Sequence, residues 1–272
     1  MDITSVIDYL QEHFKYTISS AYYFYISEWT DWWKGYYKPF HQFKERQGEN
    51  LIPRDMYTLK MAKKICEDWA SLLLNEKTEI CVDDDTSQEF IDNVFEGSKF
   101  FLNANGLVER AFYSGTGAFV LRFDNLLIKG GEILKDKATQ IRFEYLSASH
   151  IIPLTVIGDQ VKEVAFASEV VNKGKKYIYL EMHTLERGDN DTMQYVITNK
   201  YFEEERGTLK AAELPRGVIP SFTTGSDIPL FAIVRPAIEK NIDECGAGMG
   251  VSVFSNAIDE LKGVDLAFNN FC

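Results

Sequence analysis

The sequence predicts an α+β fold in which N-terminal helices pack with a mainly antiparallel β-meander and the chain ends in the start of a long helix. Three observations predict it. Apolar residues recur at helical spacing in most segments up to Phe112. From Ala118 onward, β-branched and aromatic residues alternate with polar ones, with short turn signals between the runs. After Gly250 the helical period returns.

Taken in order, Ile3, Val6, Ile7, Leu10 and Phe14 predict a short helix over residues 2–14. Residues 21–43 are dense in Tyr, Trp and Phe and predict a helix up to Lys34, with Gly35 as its stop. Residues 44–53 read as a loop. The helix over residues 54–77 has the strongest stripe: Leu59, Ala62, Cys66, Trp69 and Leu73, widened by Ile65, Ala70 and Leu72. It is expected to be a central core helix, with Asp55 capping its first turn and Pro53 ending the loop before it. A brief strand is expected at Glu79–Val82, then a helix carrying Phe90, Ile91, Val94, Phe95 and Phe101 and capped by Thr86 or Ser87. Leu107, Val108, Ala111 and Phe112 mark another short helix.

Strand candidates follow at 118–123, 141–146, 161–171, 176–185 and 193–202. Asn172-Lys173-Gly174-Lys175 is a hairpin turn, and Arg187 to Asp191 closes a second one, so the last three runs form a meander. The chain is then loop-rich through Pro215, Pro220, Pro229 and Pro236. In the final stretch Phe254, Ala257, Leu261, Val264, Phe268 and Phe271 alternate at spacings of three and four. That is a seam for packing along another helix. It runs to the end without a cap or polar tail, as in a helix interrupted mid-course. The expected division is residues 1–250 as one α+β domain and 251–272 as the start of the helix.

Composition excludes several function classes. The 272 residues are 45% hydrophobic and 26% charged, a globular balance with ample material for a core. The net charge of −12 argues against gripping nucleic acid by counterion release and against docking on anionic membranes. Cys66, Cys81, Cys245 and Cys272 have no CxxC spacing, and His13, His41, His150 and His183 form no metal motif. No cofactor or metal is expected, and the cysteines fit synthesis in a reducing cytosol. The N-terminus has early acids and no cleavable apolar core, and the uncharged run from Tyr16 to Ser27 is too short for a bilayer.

Catalytic patterns are wanting: no GxxxxGK[ST] loop and no GxSxG elbow occurs. Gly115-Thr116-Gly117 and Gly246-Ala247-Gly248 lack the strand–Gly–helix context of a dinucleotide site and read as turns. Asp83, Asp84 and Asp85 lack the alternation of a cation loop. Glu181 and His183 share a strand face, as any residues two apart do, so a satisfied or exposed histidine is preferred to an acid–base pair. Arg187-Gly188-Asp189 resembles an adhesion tripeptide and Asn190-Asp191-Thr192 a glycosylation acceptor, both short enough for chance. The aromatics of residues 22–43 could form a platform for sugar rings or bases, but packing explains them better. An enzyme or carbohydrate-binding module built on them is the alternative function.

Five segments together carry a resemblance: WTDWWKGYYKPFHQF (29–43), MAKKICEDWASLLLNEKTEI (61–80), GLVERAFYSGTGAFV (106–120), TTGSDIPLFAIVRP (223–236) and GMGVSVFSNAIDELKGVDLAF (248–268). In number and order they resemble the portal proteins of tailed bacteriophages, in the group often called minor capsid proteins in phages and prophages of Gram-positive hosts. The resemblance implies a nonenzymatic subunit of a ring, usually dodecameric, at one capsid vertex. Double-stranded DNA enters and leaves through the channel of such a ring without sequence recognition. Expected partners are other copies of the chain, terminase, capsid or scaffold proteins and head-completion proteins. The expected location is the virion, after synthesis in the bacterial host cytoplasm. By the same resemblance, residues 1–250 correspond to the wing of a portal subunit and 251–272 to the truncated start of its stem. The clip, the channel-lining segment and the crown would be missing, and such a fragment is expected to be monomeric or weakly associated.

Overall fold

The computed structural model describes residues 3–74, 77–134, 139–188, 191–242 and 248–272. The expectations placed on Asp189, Asn190, Cys245, Gly246, Ala247 and the helix end at 75–76 lie outside the described residues.

The fold is α+β, as the patterning predicted. Helix α1 (Thr4–Phe14) and helix α2 (Ala21–Lys34) come first. Gly35, at φ +82° in the left-handed region, ends α2 as expected. The one-turn helix α3 (Lys38–His41) leads into strands β1 (Gln42–Gln47) and β2 (Asn50–Asp55), which pair as an antiparallel hairpin with Gln42 opposite Asp55. This hairpin replaces the loop expected over 44–53. Nearly all its side chains are exposed and most are charged or polar, with Phe43, Leu51, Ile52 and Pro53 following no strand alternation, so no apolar period marks it.

The expected core helix is shorter than 54–77: helix α4 spans Met61–Leu73. Asp55 ends β2 instead of capping α4, and Pro53 lies within β2. The residue before α4, Lys60, is left-handed with φ +54°. Leu59 therefore precedes the helix and is off its stripe. The buried residues of α4 are Ala62, Cys66 and Ala70. These small side chains let α4 approach α2 and helix α6 (Phe100–Ser114) closely. Burial pushes the Cys66 thiol up to about 12, so it stays protonated and packs as a small apolar group. Leu59 (43% exposed), Trp69 (54%) and Leu73 (52%) were expected in the core and lie outside it. The buried row advances i, i+4, i+8, which leaves Trp69 on its rim and Leu73 at the helix end.

Polar contacts lock this layer. Glu109 of α6 accepts from Trp33 Nε1 at 2.8 Å and from Lys63 Nζ at 3.0 Å, and the same ammonium lies 4.8 Å from the Trp33 ring centroid. Asn105 Nδ2 donates to the carbonyls of Ala70 and Leu74, each at 2.9 Å, closing the C-terminal end of α4. Asn105→Ala is expected to cost about 1–2 kcal/mol, because both carbonyls lose the bond from Asn105, Ala70 keeping only the Leu74 N–H. Urea denaturation checks this, and an unchanged midpoint would refute it.

Helix α5 (Asp85–Ser98) has no buried residue, and its cap is Asp84, which accepts from Ser87 N at 2.7 Å, not Thr86 or Ser87. The expected strand at Glu79–Val82 is absent, and those residues form no regular secondary structure.

The strands follow as β3 (Gly117–Asp124), β4 (Leu127–Lys129), β5 (Glu132–Leu134), β6 (Gln140–Ser147), β7 (Ile151–Ile157), β8 (Gln160–Asn172), β9 (Lys175–Arg187), β10 (Met193–Glu205), β11 (Thr208–Ala211), β12 (Ser221–Thr223) and β13 (Phe231–Val234). β7 to β10 form the antiparallel body of the large sheet, with β11 and β12 both on β10, and the only parallel contact among the described strands joins β12 to β5. A second sheet has the order β13-β3-β6. Lys173 (φ +50°) and Gly174 (φ +77°) turn β8 into β9, which suits the twist of a two-residue hairpin. Short strands β4, β5 and β11 to β13 escaped the sequence reading because each has only three or four residues.

Alternation divides the large sheet into two faces. Ile178, Leu180 and Met182 of β9 join Ala165 and Ala167 of β8 beneath α1. Tyr179, Glu181 and His183 point the other way, toward β3. A larger cluster on that side gathers α2, α4, α6 and the small sheet, and includes Trp29, Trp32, Phe112, Val120 and Phe166.

Candidate functional site

The seam expected at the C-terminus is broken by the tertiary structure. Helix α7 spans Ile258–Phe271, so Phe254 and Ala257 precede it, Ala257 in a 3-10 turn. Phe254 and Leu261 are buried in the main cluster. Phe268 is half-buried, while Val264 (40% exposed) and Phe271 (92%) face solvent. The six residues thus divide into an anchor (Phe254, Leu261), an exposed apolar edge (Val264, Phe271) and two half-buried positions between them in exposure (Ala257, Phe268). Seam analysis missed Asp265 and Asn269. They continue the i, i+4, i+8 row from Leu261 and face the body, and a search restricted to apolar residues skips them.

A second set of exposed apolar residues, Trp69, Leu72 and Leu73, lies at the C-terminal end of α4.

The strongest polar constellation sits between the two sheets. Arg122 of β3 donates from Nε to Glu144 Oε2 of β6 at 2.6 Å, and its Nη1 pairs with Glu181 of β9. His183 Nε2 is 2.5 Å from the same Glu181 oxygen. Tyr179 donates to Asn199 Oδ1 at 2.6 Å, and Asn199 Nδ2 donates to the Ile219 carbonyl at 2.7 Å. The His183 ring is buried, edge-on to Phe166 and Phe231 at 5.3 and 5.5 Å, and its Nδ1 has no hydrogen-bond partner among the described residues. Burial pushes the Glu181 carboxyl up. The hydrogen bond from His183 and the Arg122 charge outweigh that and bring it down to about 2. Burial, then the Glu181 charge, raises the Tyr179 hydroxyl.

A cleft of about 730 Å³ opens over this network, bordered by Phe123, Arg142, Val170, Tyr201, Arg216 and Phe222. None of the aromatics at 22–43 lines it. Tyr22, Trp29 and Trp32 are buried in the main cluster, with Tyr22 donating to the Gly250 carbonyl at 2.8 Å and Tyr23 to that of Ile151 at 2.7 Å. The structure therefore separates the two parts that a carbohydrate or enzyme site would have needed together. The network is a charged cross-brace between sheets. Its partners saturate Glu181 and hold Arg122 in a fork.

Among the described residues no group of three or more His, Cys, Asp or Glu side chains is placed to hold a metal ion. No helix among them is long and apolar enough to cross a membrane.

A family model described as phage portal protein, SPP1 Gp6-like, matches residues 12–205, well over half of the chain. The chain belongs to the phage portal protein family. The matched region runs from the end of α1 through the end of β10 and so contains helices α2 to α6, strands β3 and β6 of the small sheet, and Arg122, Glu144, Glu181 and His183 of the charged cross-brace, while β13 lies beyond it. α7 and the apolar edge on it lie beyond the match. No curated protein matches the chain. Portal proteins are structural, ring-forming components of the phage capsid with partners in packaging, and the exposed apolar residues of this portal chain include Trp69, Leu72 and Leu73 of α4 and Val264 and Phe271 of α7.

Proposed function

We propose that this portal chain forms the wing of a ring subunit at the capsid vertex, with residues 1–250 as the wing and 251–272 as the start of the stem. Family membership over residues 12–205 carries this reading. The exposed apolar residues Trp69, Leu72, Leu73, Val264 and Phe271 support it, because neighbouring subunits of a ring cover such surface. In this reading double-stranded DNA passes the ring without sequence recognition, consistent with a net charge of −12. Terminase, capsid or scaffold proteins and head-completion proteins dock on the assembled ring.

Multi-angle light scattering tests the proposal in two steps. Residues 1–272 by themselves are expected to be monomeric or weakly associated at micromolar concentration. The same chain continued through its downstream reading frame is expected to assemble into a closed, dodecamer-like ring visible by electron microscopy. A stable dodecamer of 1–272 would overturn the expected weak association. A continued chain that stays monomeric, or a stop followed by an unrelated gene, would overturn the fragment reading.

A further inference from the structure

α7 buries only two of its residues, Leu261 and Asp265. One is a carboxylate, and a buried carboxylate is costly unless paired and hydrogen-bonded. Asp265 meets both conditions. Its Oδ2 lies 3.1 Å from His41 Nε2, and its Oδ1 accepts the Leu59 backbone N–H at 2.9 Å. The Tyr37 N–H donates to His41 Nδ1 at 2.7 Å, which leaves Nε2 as the nitrogen that donates to Asp265. One turn further on, Asn269 Oδ1 accepts the Tyr57 N–H at 3.2 Å.

These acceptors converge on one place, the root of the β1–β2 hairpin. His41 immediately precedes β1, and its carbonyl accepts the Met56 N–H at 2.8 Å, just after β2 ends at Asp55. Tyr36 donates to Asp55 at 2.6 Å, and its ring stacks on His41 at 5.6 Å. The hairpin beyond this root pairs with no other described strand, and an isolated two-stranded hairpin is marginal in water. Its order therefore depends on how firmly the root is held.

We propose that Asp265 and Asn269 clasp α7 to the hairpin root, so that the C-terminal helix and the β1–β2 hairpin move as one unit. Displacing α7 withdraws the acceptors from Tyr57 and Leu59, frees His41 and loosens the hairpin. By thermodynamic reciprocity, whatever fixes the hairpin also fixes the direction of α7. The proposal stands on this geometry and does not depend on the ring assignment.

Hydrogen exchange with sub-second labelling, on residues 1–272 as wild type, Asp265→Ala and Asn269→Ala, tests it. In Asp265→Ala, exchange across 42–60 is expected to rise by about tenfold, the effect of losing a charge-assisted bond on local opening. Exchange in β8 to β10 should be unchanged. Asn269→Ala should show the same pattern more weakly. Faster exchange confined to 258–271, with 42–60 at the wild-type rate in both variants, would overturn the proposal. Should Asp265→Ala also loosen β8 to β10, Asn269→Ala decides: faster exchange at 42–60 supports the clasp, and wild-type rates there refute it.

Discussion

Replacing Arg122 with methionine is expected to destabilise the fold by about 3–5 kcal/mol, the usual loss when one partner of a buried ion pair is removed. The methionine fills much of the same space, so the loss reports on charge rather than volume. It leaves Glu181 buried without its Arg122 charge, hydrogen-bonded to His183, and strands Glu144 at the edge of the small sheet. Urea denaturation at neutral pH measures it, and a loss below about 1 kcal/mol would show that water already reaches the network. The same pair sets an acid dependence. Glu181 titrates near 4.5 when unperturbed and at about 2 in the fold. A depressed carboxyl contributes stability that is fully present above the unfolded value and is lost as pH falls through the folded one. The wild type should therefore lose about 3 kcal/mol from this group between roughly pH 5 and pH 2. In Arg122→Met that acid limb should flatten, because the chief fixed charge that holds the carboxyl ionised is gone. An acid limb of equal slope in both proteins would assign the depression to His183 alone.

The second large effect is expected at Gly115. Its φ is +78°, and a Cβ built there would lie 2.5 Å from the Gly250 carbonyl oxygen. Gly250 approaches just as closely in return: its own Cβ would strike the Gly115 carbonyl oxygen. Around this contact Tyr22 donates to the Gly250 carbonyl, and the Gly250 N–H donates to Thr116 Oγ1 at 2.9 Å. The knot ties the turn after α6 to the segment that leads into α7, beneath the α2 helix. Gly115→Ala combines left-handed strain with a backbone clash that no side-chain rotation relieves. It is expected to cost roughly 3 kcal/mol or more. Gly250→Ala should cost a similar amount through the clash alone. Gly48, at φ +64° with nothing within 4 Å of its Cβ position, is the control, and alanine there should cost only about 1 kcal/mol. Equal denaturation midpoints for the Gly115 and Gly48 variants would refute the close contact.

Much of the fold was legible in the residues. The meander at β8 to β10 follows from alternation and from Lys173-Gly174, and α2 ends where Gly35 ends it. The family was legible too, because five separated segments occur in family order. The α4 stripe was misread in part. Helical spacing names a face, but the partner decides how wide that face is, and α6 and α2 accept only Ala62, Cys66 and Ala70. The β1–β2 hairpin was illegible because a ribbon exposed on both faces has no apolar period. The broken seam had a third cause: a 3-10 turn before Ile258 takes Phe254 and Ala257 off the axis of α7.

What the sequence determined by itself was therefore the local and additive part of this protein: its α+β class, its principal strands, most of its helices, its acidic balance and its portal family. The tertiary structure alone decided which polar groups meet. Arg122 and Glu181 are 59 residues apart, and His41 and Asp265 are 224 apart. No spacing rule connects such positions, because their contact depends on how sheets and helices stack. The physical cost of burying a charge then ensures that, once the fold brings them together, they must pair.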